Sequence, residues 1–316
     1  MEELTLKNQR KKFKEQGLFH TPKELAEYMK SFLPNGVREV YDPTCGYGNL
    51  LAVFPDDVRK YGQELEEAQM EVCKERLVNF EGYAGDTLTS DHFAGRKFEA
   101  IVSNPPYSVK WDQFEDDRWN GPGVLAPKSK ADYAFVLHCL SHLADSGKAI
   151  LMIFPGILYR GNAEGKIRKW LVEQNVIEQV IQCPDKKFTD TSIAVTILVL
   201  SKSKTTTDIL FRDELDNERV VTFEEIEKEN FNLSVSTYVD KPDTREKVDI
   251  DEVNKQVADY IVNGLRKNLL SQKVIYDYFH DGDFPSLISR CRQVLDDVEN
   301  HNFAFLEVNP HADSKR

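Results

Sequence analysis

The sequence predicts a doubly wound α/β domain with a mostly parallel sheet, followed by a helical appendage. Three observations carry this. Between residues 37 and 200, short continuous apolar runs alternate with helical patterns, the pattern of strands buried on both faces of a covered sheet. The first run leads into a glycine-rich turn and the second ends in an acid, as at the ligand-binding edge of open α/β sheets. Beyond residue 249 the strand-like runs give way to apolar residues at helical spacing.

Taken in order, Thr21-Pro22-Lys23-Glu24 has the form of a capping box with proline at the first helical position, predicting a helix from Pro22 to Phe32. Strands are predicted over VREVYD (37–42), VRKYGQE (58–64), FEAIVSN (98–104), KAILMIFP (148–155), VIEQVIQC (176–183) and IAVTILVL (193–200), with one more ending before Gly85. ILFRDE (209–214) and VVTFEEIEKE (220–229) continue as a strand and a short helix. Residues 240–249 are charged, proline-containing and aperiodic, so they read as a linker. After them Ile250, Val253, Val257, Ile261, Leu265 and Leu269 predict one helix, and 286–299 a second. That pair reads equally as a hairpin packed on the domain or as a handle for another protein.

Composition narrows the function classes. At 316 residues, with 41% hydrophobic and 30% charged residues, the chain is long enough to bury a core of ordinary size. No run approaches the ~20 apolar residues of a membrane span. The basic segment 7–17 lacks the apolar core of a signal peptide, so a cytoplasmic protein without membrane association is expected. Five scattered cysteines predict reduced thiols. His138 and His142 have helical metal-ligand spacing but lack the glutamate of H-E-x-x-H, so packed histidines and no metal are expected. A net charge of −12, from 41 basic against 53 acidic residues, is the wrong sign for gripping a long duplex unaided.

Four clusters carry chemistry, and each falls at the C-terminal end of a predicted strand. The first is Asp42-Pro43-Thr44-Cys45-Gly46-Tyr47-Gly48-Asn49, where glycines permit close approach of backbone to ligand. Gly62-Gln63-Glu64 places a carboxylate where such folds bind a ribose diol. Gly85-Asp86-Thr87-Leu88 ends the third strand, and Ser103-Asn104-Pro105-Pro106-Tyr107-Ser108 closes the fourth. Neither proline can donate a backbone hydrogen bond, and each biases its predecessor toward extended structure. The carbonyls of Asn104 and Pro105, the Asn104 amide and the Tyr107 ring thus suit a planar group bearing an amine. The four clusters share one rim of the sheet, hence one crevice.

In this order, with Phe19-His20-Thr21-Pro22 ahead of them, these motifs resemble the S-adenosylmethionine-dependent DNA adenine N6-methyltransferases. Ala131-Asp132-Tyr133-Ala134-Phe135 and the stretch from Tyr159 to Lys169 look more narrowly like the modification subunit of type I restriction–modification systems. The resemblance covers roughly residues 17–240. Taken with the composition and periodicity, it divides the chain into a basic lead over 1–18, a catalytic domain over 19–239, a linker over 240–249, and a helical region over 250–316 that could dock a partner. It implies S-adenosyl-L-methionine as cofactor: Asp42, Thr44, Cys45, Gly46, Gly48 and Asn49 in the turn for its methionine part, Glu64 for the ribose, Asp86 for the adenine amine, and Phe19 and Thr21 lining the pocket. Asn104, Pro105, Pro106 and Tyr107 would be catalytic, with Asn104 Oδ1 and the Pro105 carbonyl accepting the two N–H bonds of a flipped adenine. Phe188 would help hold that base.

The resemblance further implies DNA as substrate, a separate DNA-specificity subunit, and a restriction subunit as a further partner. Type I modification subunits usually carry a helical region before F-x-T-P, where some 18 residues stand here. No inserted base-reading region is evident, so recognition is expected in another chain. Lys166, Arg168 and Lys169 could touch phosphates, although a solvated basic helix face is the simpler expectation. N-P-P-Y also occurs in enzymes that methylate protein glutamine. That activity, or a non-catalytic cofactor-binding scaffold, is the alternative; the stretch from Ala131 to Lys169 argues against the first, and the intact motifs against the second.

Overall fold

Residues buried on both faces of a sheet must satisfy two cores at once, and here alternate strand positions do so. In a computed structural model, residues 21–183, 195–239, 249–279 and 283–300 are described. The strands are β1 (Glu39–Asp42), β2 (Arg59–Glu64), β3 (Phe80–Ala84), β4 (Phe98–Ser103), β5 (Leu143–Ile153), β6 (Ile177–Gln182), β7 (Thr196–Ser201), β8 (Ile209–Arg212) and β9 (Glu218–Val221). Tyr41, Ile101, Ala149 and Leu151 point into one core. Their neighbours Val40, Ala100, Val102, Ile150 and Met152 point into the other. The period of two in side-chain direction explains why the runs are apolar without a break.

The strand order is β3-β2-β1-β4-β5-β7-β6-β8-β9. β1 pairs in parallel with both β2 and β4, so the chain winds outward to β3, then crosses back and winds the other way. The reversal leaves a crevice between the C-terminal ends of β1 and β4, where open α/β sheets bind ligands. The mostly parallel character expected from the sequence holds for β1 to β5 and for β6 with β8. β7 departs from it, lying between β5 and β6 and antiparallel to both. β9 closes the edge antiparallel to β8.

Helices α1 (Lys23–Lys30), α2 (Glu67–Arg76), α3 (Asp132–His142), α4 (Asn162–Glu173) and the short α5 (Phe223–Lys228) and α6 (Val235–Tyr238) accompany the sheet. The capping box predicted at Thr21 does not form. α1 begins at Lys23, with Pro22 as its N-cap and no side-chain cap bond. The Thr21 hydroxyl is engaged elsewhere, as described below. A true capping box occurs at α5, where Thr222 and Glu225 exchange bonds.

The described residues up to 239 form one compact unit and those from 249 onward another. The second consists of α7 (Ile250–Phe279) and α8 (Phe284–Glu299), the latter capped by Asp283 accepting the Ser286 N–H. Apolar residues along α7, among them Val257, Ile261 and Leu265, are exposed. No described helix is long and apolar enough to cross a membrane.

Candidate functional site

The C-terminal ends of β1, β2, β3 and β4 line one cleft of about 480 Å³, within the usual size range of small-molecule sites. Asp42, Glu64, Asp86 and Asn104, one from each predicted cluster, all face it. The Thr44 and Ser103 hydroxyls lie 2.9 Å apart and tie the β1 turn to β4.

In the β1 turn, Gly46 (φ +54°) and Gly48 (φ +76°) occupy the left-handed region, which side-chain-bearing residues rarely adopt. At Gly48 crowding adds to conformation, since a Cβ there would lie 2.8 Å from Leu77 Cδ1. At Gly46 a Cβ would have only Gln69 Oε1 nearby, at 3.5 Å, so conformation alone demands glycine. The Gly46 N–H donates to Glu64 Oε2 at 2.8 Å, and Glu64 Oε1 accepts from the Glu66 N–H at 3.1 Å. The carboxylate ending β2 is thereby aimed across the turn. Asp42 is fully buried and accepts from the Thr44 N–H at 3.0 Å. Burial first, with the nearby Glu64 charge adding to it, pushes its carboxyl up to about 8; burial also raises Glu64.

Cys45 and Asn49 have structural partners as well as places on the cleft wall. The Cys45 thiol is 3.9 Å from that of Cys73. Asn49 donates to the Thr21 carbonyl and accepts from Arg76 at 2.6 Å, joining the turn to the start of α1. At the end of β3, Asp86 accepts from the Leu88 N–H (2.9 Å) and the Thr89 hydroxyl (3.1 Å).

The segment after β4 is held from two sides. Asn104 Nδ2 donates to the Thr21 hydroxyl at 3.1 Å, and the Tyr107 hydroxyl donates to Asn104 Oδ1 at 2.8 Å. Tyr107 is half-buried, its ring centroid 6.4 Å from that of Phe154. Ser108 turns the chain with φ +53°, and its N–H is shared by both oxygens of Asp132, each at 3.2 Å. Asp132 is buried at the start of α3, and burial raises its carboxyl.

Phe19 and Phe188 lie outside the described residues. Several cleft residues went unmarked by the sequence patterns. Leu65 follows the β2 acid and is 66% exposed, a large apolar side chain on the cleft wall. Phe135, Trp111 and Lys110 line the same space. Phe135 lies in the A-D-Y-A-F stretch, a signal that the motif reading left without a role. Arg168 departs both from the expected solvated basic face and from a phosphate contact: it is buried and donates to the carbonyls of Phe231, Ile157 and Arg160. Lys169 lies 3.6 Å from Glu173, and Lys166 is exposed.

Asp91, His138 and His142 bring possible ligand atoms within 4.8 Å of one another. Each ring nitrogen already has a protein partner. His142 faces the Arg96 carbonyl and Asp91, each at 2.9 Å. His138 faces Tyr41 and Thr87 through Nε2, and Arg118 through Nδ1 at 3.0 Å. Both His142 ring nitrogens are thus engaged within the protein, and the adjacent Arg118 guanidinium opposes a further cation.

Residues 1–220 match the family model described as N-6 DNA Methylase. The chain is 32% identical over 309 residues to the type I restriction enzyme MpnII methylase subunit of Mycoplasma pneumoniae, an alignment covering 78% of this chain and 57% of that protein. It is 28% identical to the MjaIX methylase subunit of Methanocaldococcus jannaschii, over 60% of this chain and 38% of that one. Among solved structures it resembles the type I restriction–modification methyltransferase subunit from Streptococcus thermophilus, with TM-score 0.65 and 31% identity over 70% of this chain and 59% of that chain. The chain spans about half the length of the curated relatives it matches.

Proposed function

We propose, because the chain belongs to the N-6 DNA methylase family, that it transfers a methyl group from S-adenosyl-L-methionine to the N6 amine of a flipped-out adenine in DNA. The single observation that carries this is the meeting, in one cleft, of Asn104 and Pro106 of the intact Asn104-Pro105-Pro106-Tyr107 segment with Gly46, Glu64 and Asp86. The cleft fits the cofactor: the left-handed Gly46 leaves the turn without a side chain, and carboxylates close β2 and β3. Glu64 takes the ribose hydroxyls and Asp86 the adenine amine. Leu65 covers one face of the adenine ring.

When bound, the cofactor supplies an electrophilic methyl carbon on a sulfonium. Adenine's exocyclic nitrogen is a poor nucleophile because its lone pair is delocalised into the ring. Asn104 Oδ1 and the Pro105 carbonyl accept its two N–H bonds, draw the nitrogen toward tetrahedral geometry, and aim the lone pair at the methyl carbon. Held by the β1 turn, Glu64 and Asp86, the cofactor would supply that methyl with a neutral thioether as leaving group, and the proton shed by the nitrogen would leave to solvent. Preorganised acceptors and in-line placement lower the barrier without a strong base. Thr21 fixes the Asn104 amide so that Oδ1 is its accepting end. Tyr107 donates to that oxygen and offers its ring to the extruded base, whose unstacking costs a few kcal/mol.

The chain acts as the methylating subunit of a type I-like restriction–modification complex. A separate specificity subunit reads the DNA, and a restriction subunit joins the assembly. Residues 19–239 form the catalytic domain, residues 240–249 the linker, and residues 250–316 the partner-docking region. The −12 charge supports a division in which another chain supplies most of the DNA grip. The test is labelled-methyl transfer to genomic DNA by the purified chain, alone and with the specificity subunit of its own operon, followed by mapping of N6-methyladenine. Site-specific methylation only in the mixture is expected. Full activity from the chain alone, or label found on protein glutamine instead, would overturn the reading.

A further inference from the structure

β3 is the edge strand of the sheet, so the Gly85–Ser90 loop that follows it has a sheet neighbour on one side only. On that side buried Gln63 donates to the carbonyls of Gly85 (3.2 Å) and Ser90 (2.6 Å) and accepts from the His92 N–H (3.2 Å). Arg118 holds the loop as well, donating to the carbonyls of Thr87 (2.9 Å) and Leu88 (2.6 Å). Its guanidinium is itself fixed, by Asp116 at 2.8–2.9 Å, by His138 Nδ1 at 3.0 Å and by the Trp119 ring at 4.4 Å. Arg118 does not line the cofactor cleft. It faces a separate groove with Asp116 and His142.

The geometry is specific about what this clamp controls. The Thr87 carbonyl and the Leu88 N–H belong to one planar peptide. Arg118 holds the oxygen end of that plane, and the N–H end donates to Asp86 Oδ1. Fixing one end fixes the direction of the other. The Asp86 carboxylate is therefore aimed into the cleft by a residue that never enters it.

We infer that Arg118 is a positioning residue for recognition of the cofactor's adenine amine, acting through the Thr87–Leu88 peptide on Asp86. This rests on the proposal that Asp86 accepts that amine. The test compares two ligands by calorimetric titration, S-adenosylhomocysteine and its analogue with hydrogen in place of the 6-amine. The wild-type chain should prefer the amine-bearing ligand by about tenfold, the scale of a hydrogen bond to a charged acceptor. In Arg118→Met the preference should fall to about twofold or less, while affinity for the deaminated analogue changes by under about threefold, because only the aim of one acceptor is lost. Arg118→Lys keeps the charge but not the planar fork, so its preference should be intermediate.

A merely structural arginine would weaken both ligands alike. Equal loss for the two, or an unchanged preference in a folded Arg118→Met or Arg118→Lys chain, overturns the inference. If Arg118→Met does not fold, Arg118→Lys decides. Asp86→Ala separates the two layers. If it leaves the preference intact, the assignment of Asp86 has failed; if it abolishes the preference and the Arg118 variants do not, the brace alone has failed.

Discussion

Asn104 and Thr21 stand 83 residues apart in the chain, yet the Asn104 amide donates to the Thr21 hydroxyl at 3.1 Å. An amide has one accepting and one donating end, so this bond decides which end meets the substrate. Thr21→Val keeps the shape but removes the acceptor. It should lower the methyl-transfer rate by about tenfold at saturating cofactor, the loss of roughly one hydrogen bond's worth of orientation. Thr21→Ser should stay near the wild-type rate. A wild-type rate in Thr21→Val would contradict the orienting role.

Removing the amide itself is the harsher change. Asn104→Ala should cut methyl transfer by about a hundredfold or more, the usual scale for one preorganised contact. Thermal melting should hardly move, because Asn104 is a half-buried loop residue outside the two cores. Wild-type turnover in a folded Asn104→Ala chain would sink the mechanism.

Tyr107 combines a ring and a hydroxyl with different tasks. Tyr107→Phe keeps the ring and loses the bond to Asn104 Oδ1, so turnover should fall by less than about tenfold. Tyr107→Ala loses the stacking surface too, worth about 1–3 kcal/mol per base, and should fall much further. Equal rates in the two variants would mean that the ring does not hold the base.

Gly46 at φ +54° tests the cofactor turn. Valine is β-branched and strained in that region, so Gly46→Val should distort the turn and loosen Glu64 from its backbone donor. Cofactor affinity measured by calorimetry should fall by at least about tenfold, since strain there costs on the order of 1–3 kcal/mol. Unchanged affinity would place the cofactor elsewhere.

Much of this site was legible because it is local. Each cluster ends a strand, and the sheet carries such ends to one rim, so residues of D-P-x-C-G-x-G, G-Q-E, G-D-T-L and N-P-P-Y, among them Asp42, Glu64, Asp86 and Asn104, line one cleft. What escaped depends on partners far apart in sequence. Thr21 has the local grammar of a helix cap, but Asn104 competes for its hydroxyl and wins. Asp132 grips Ser108, and Arg118 grips Thr87, with no periodicity to announce either. The continuous apolar run that became β7 revealed its burial, but burial on both faces is the same for either strand direction, and its reversal against β5 was invisible.

Asp42 gives a pH signature with a definite sign. Burial raises its carboxyl to about 8 from an ordinary 3.8, so between those values the folded chain keeps a proton that the unfolded chain has lost. The stability tied to that proton is full below the ordinary value and is lost as pH rises to about 8. Asp42→Asn removes the titration while keeping an acceptor for Thr44. Its melting temperature relative to wild type should therefore climb between pH 5 and 8 and then level off. A cationic cofactor beside Asp42 favours the ionised form, so binding should release protons and tighten with rising pH. Parallel melting curves at every pH, or no buffer dependence of the binding enthalpy, would contradict the assignment.

The helical unit allows the last prediction. Val257 and Ile261 on α7 are 51% and 62% exposed, four residues apart and so on one helix face. An apolar stripe left in water favours a partner that covers it, at roughly 25 cal/mol per Å² removed from solvent. A glutamate placed there would have to be desolvated on docking. The double variant Val257→Glu with Ile261→Glu should therefore weaken association with the specificity subunit by at least about a hundredfold, the loss of a central apolar anchor. S-adenosylhomocysteine binding should be unchanged, because the cleft is built by the strand ends of the other unit. Helix content should also hold, since glutamate is a good helix former. Association at wild-type strength in the double variant would show that this face of α7 is not where the partner docks.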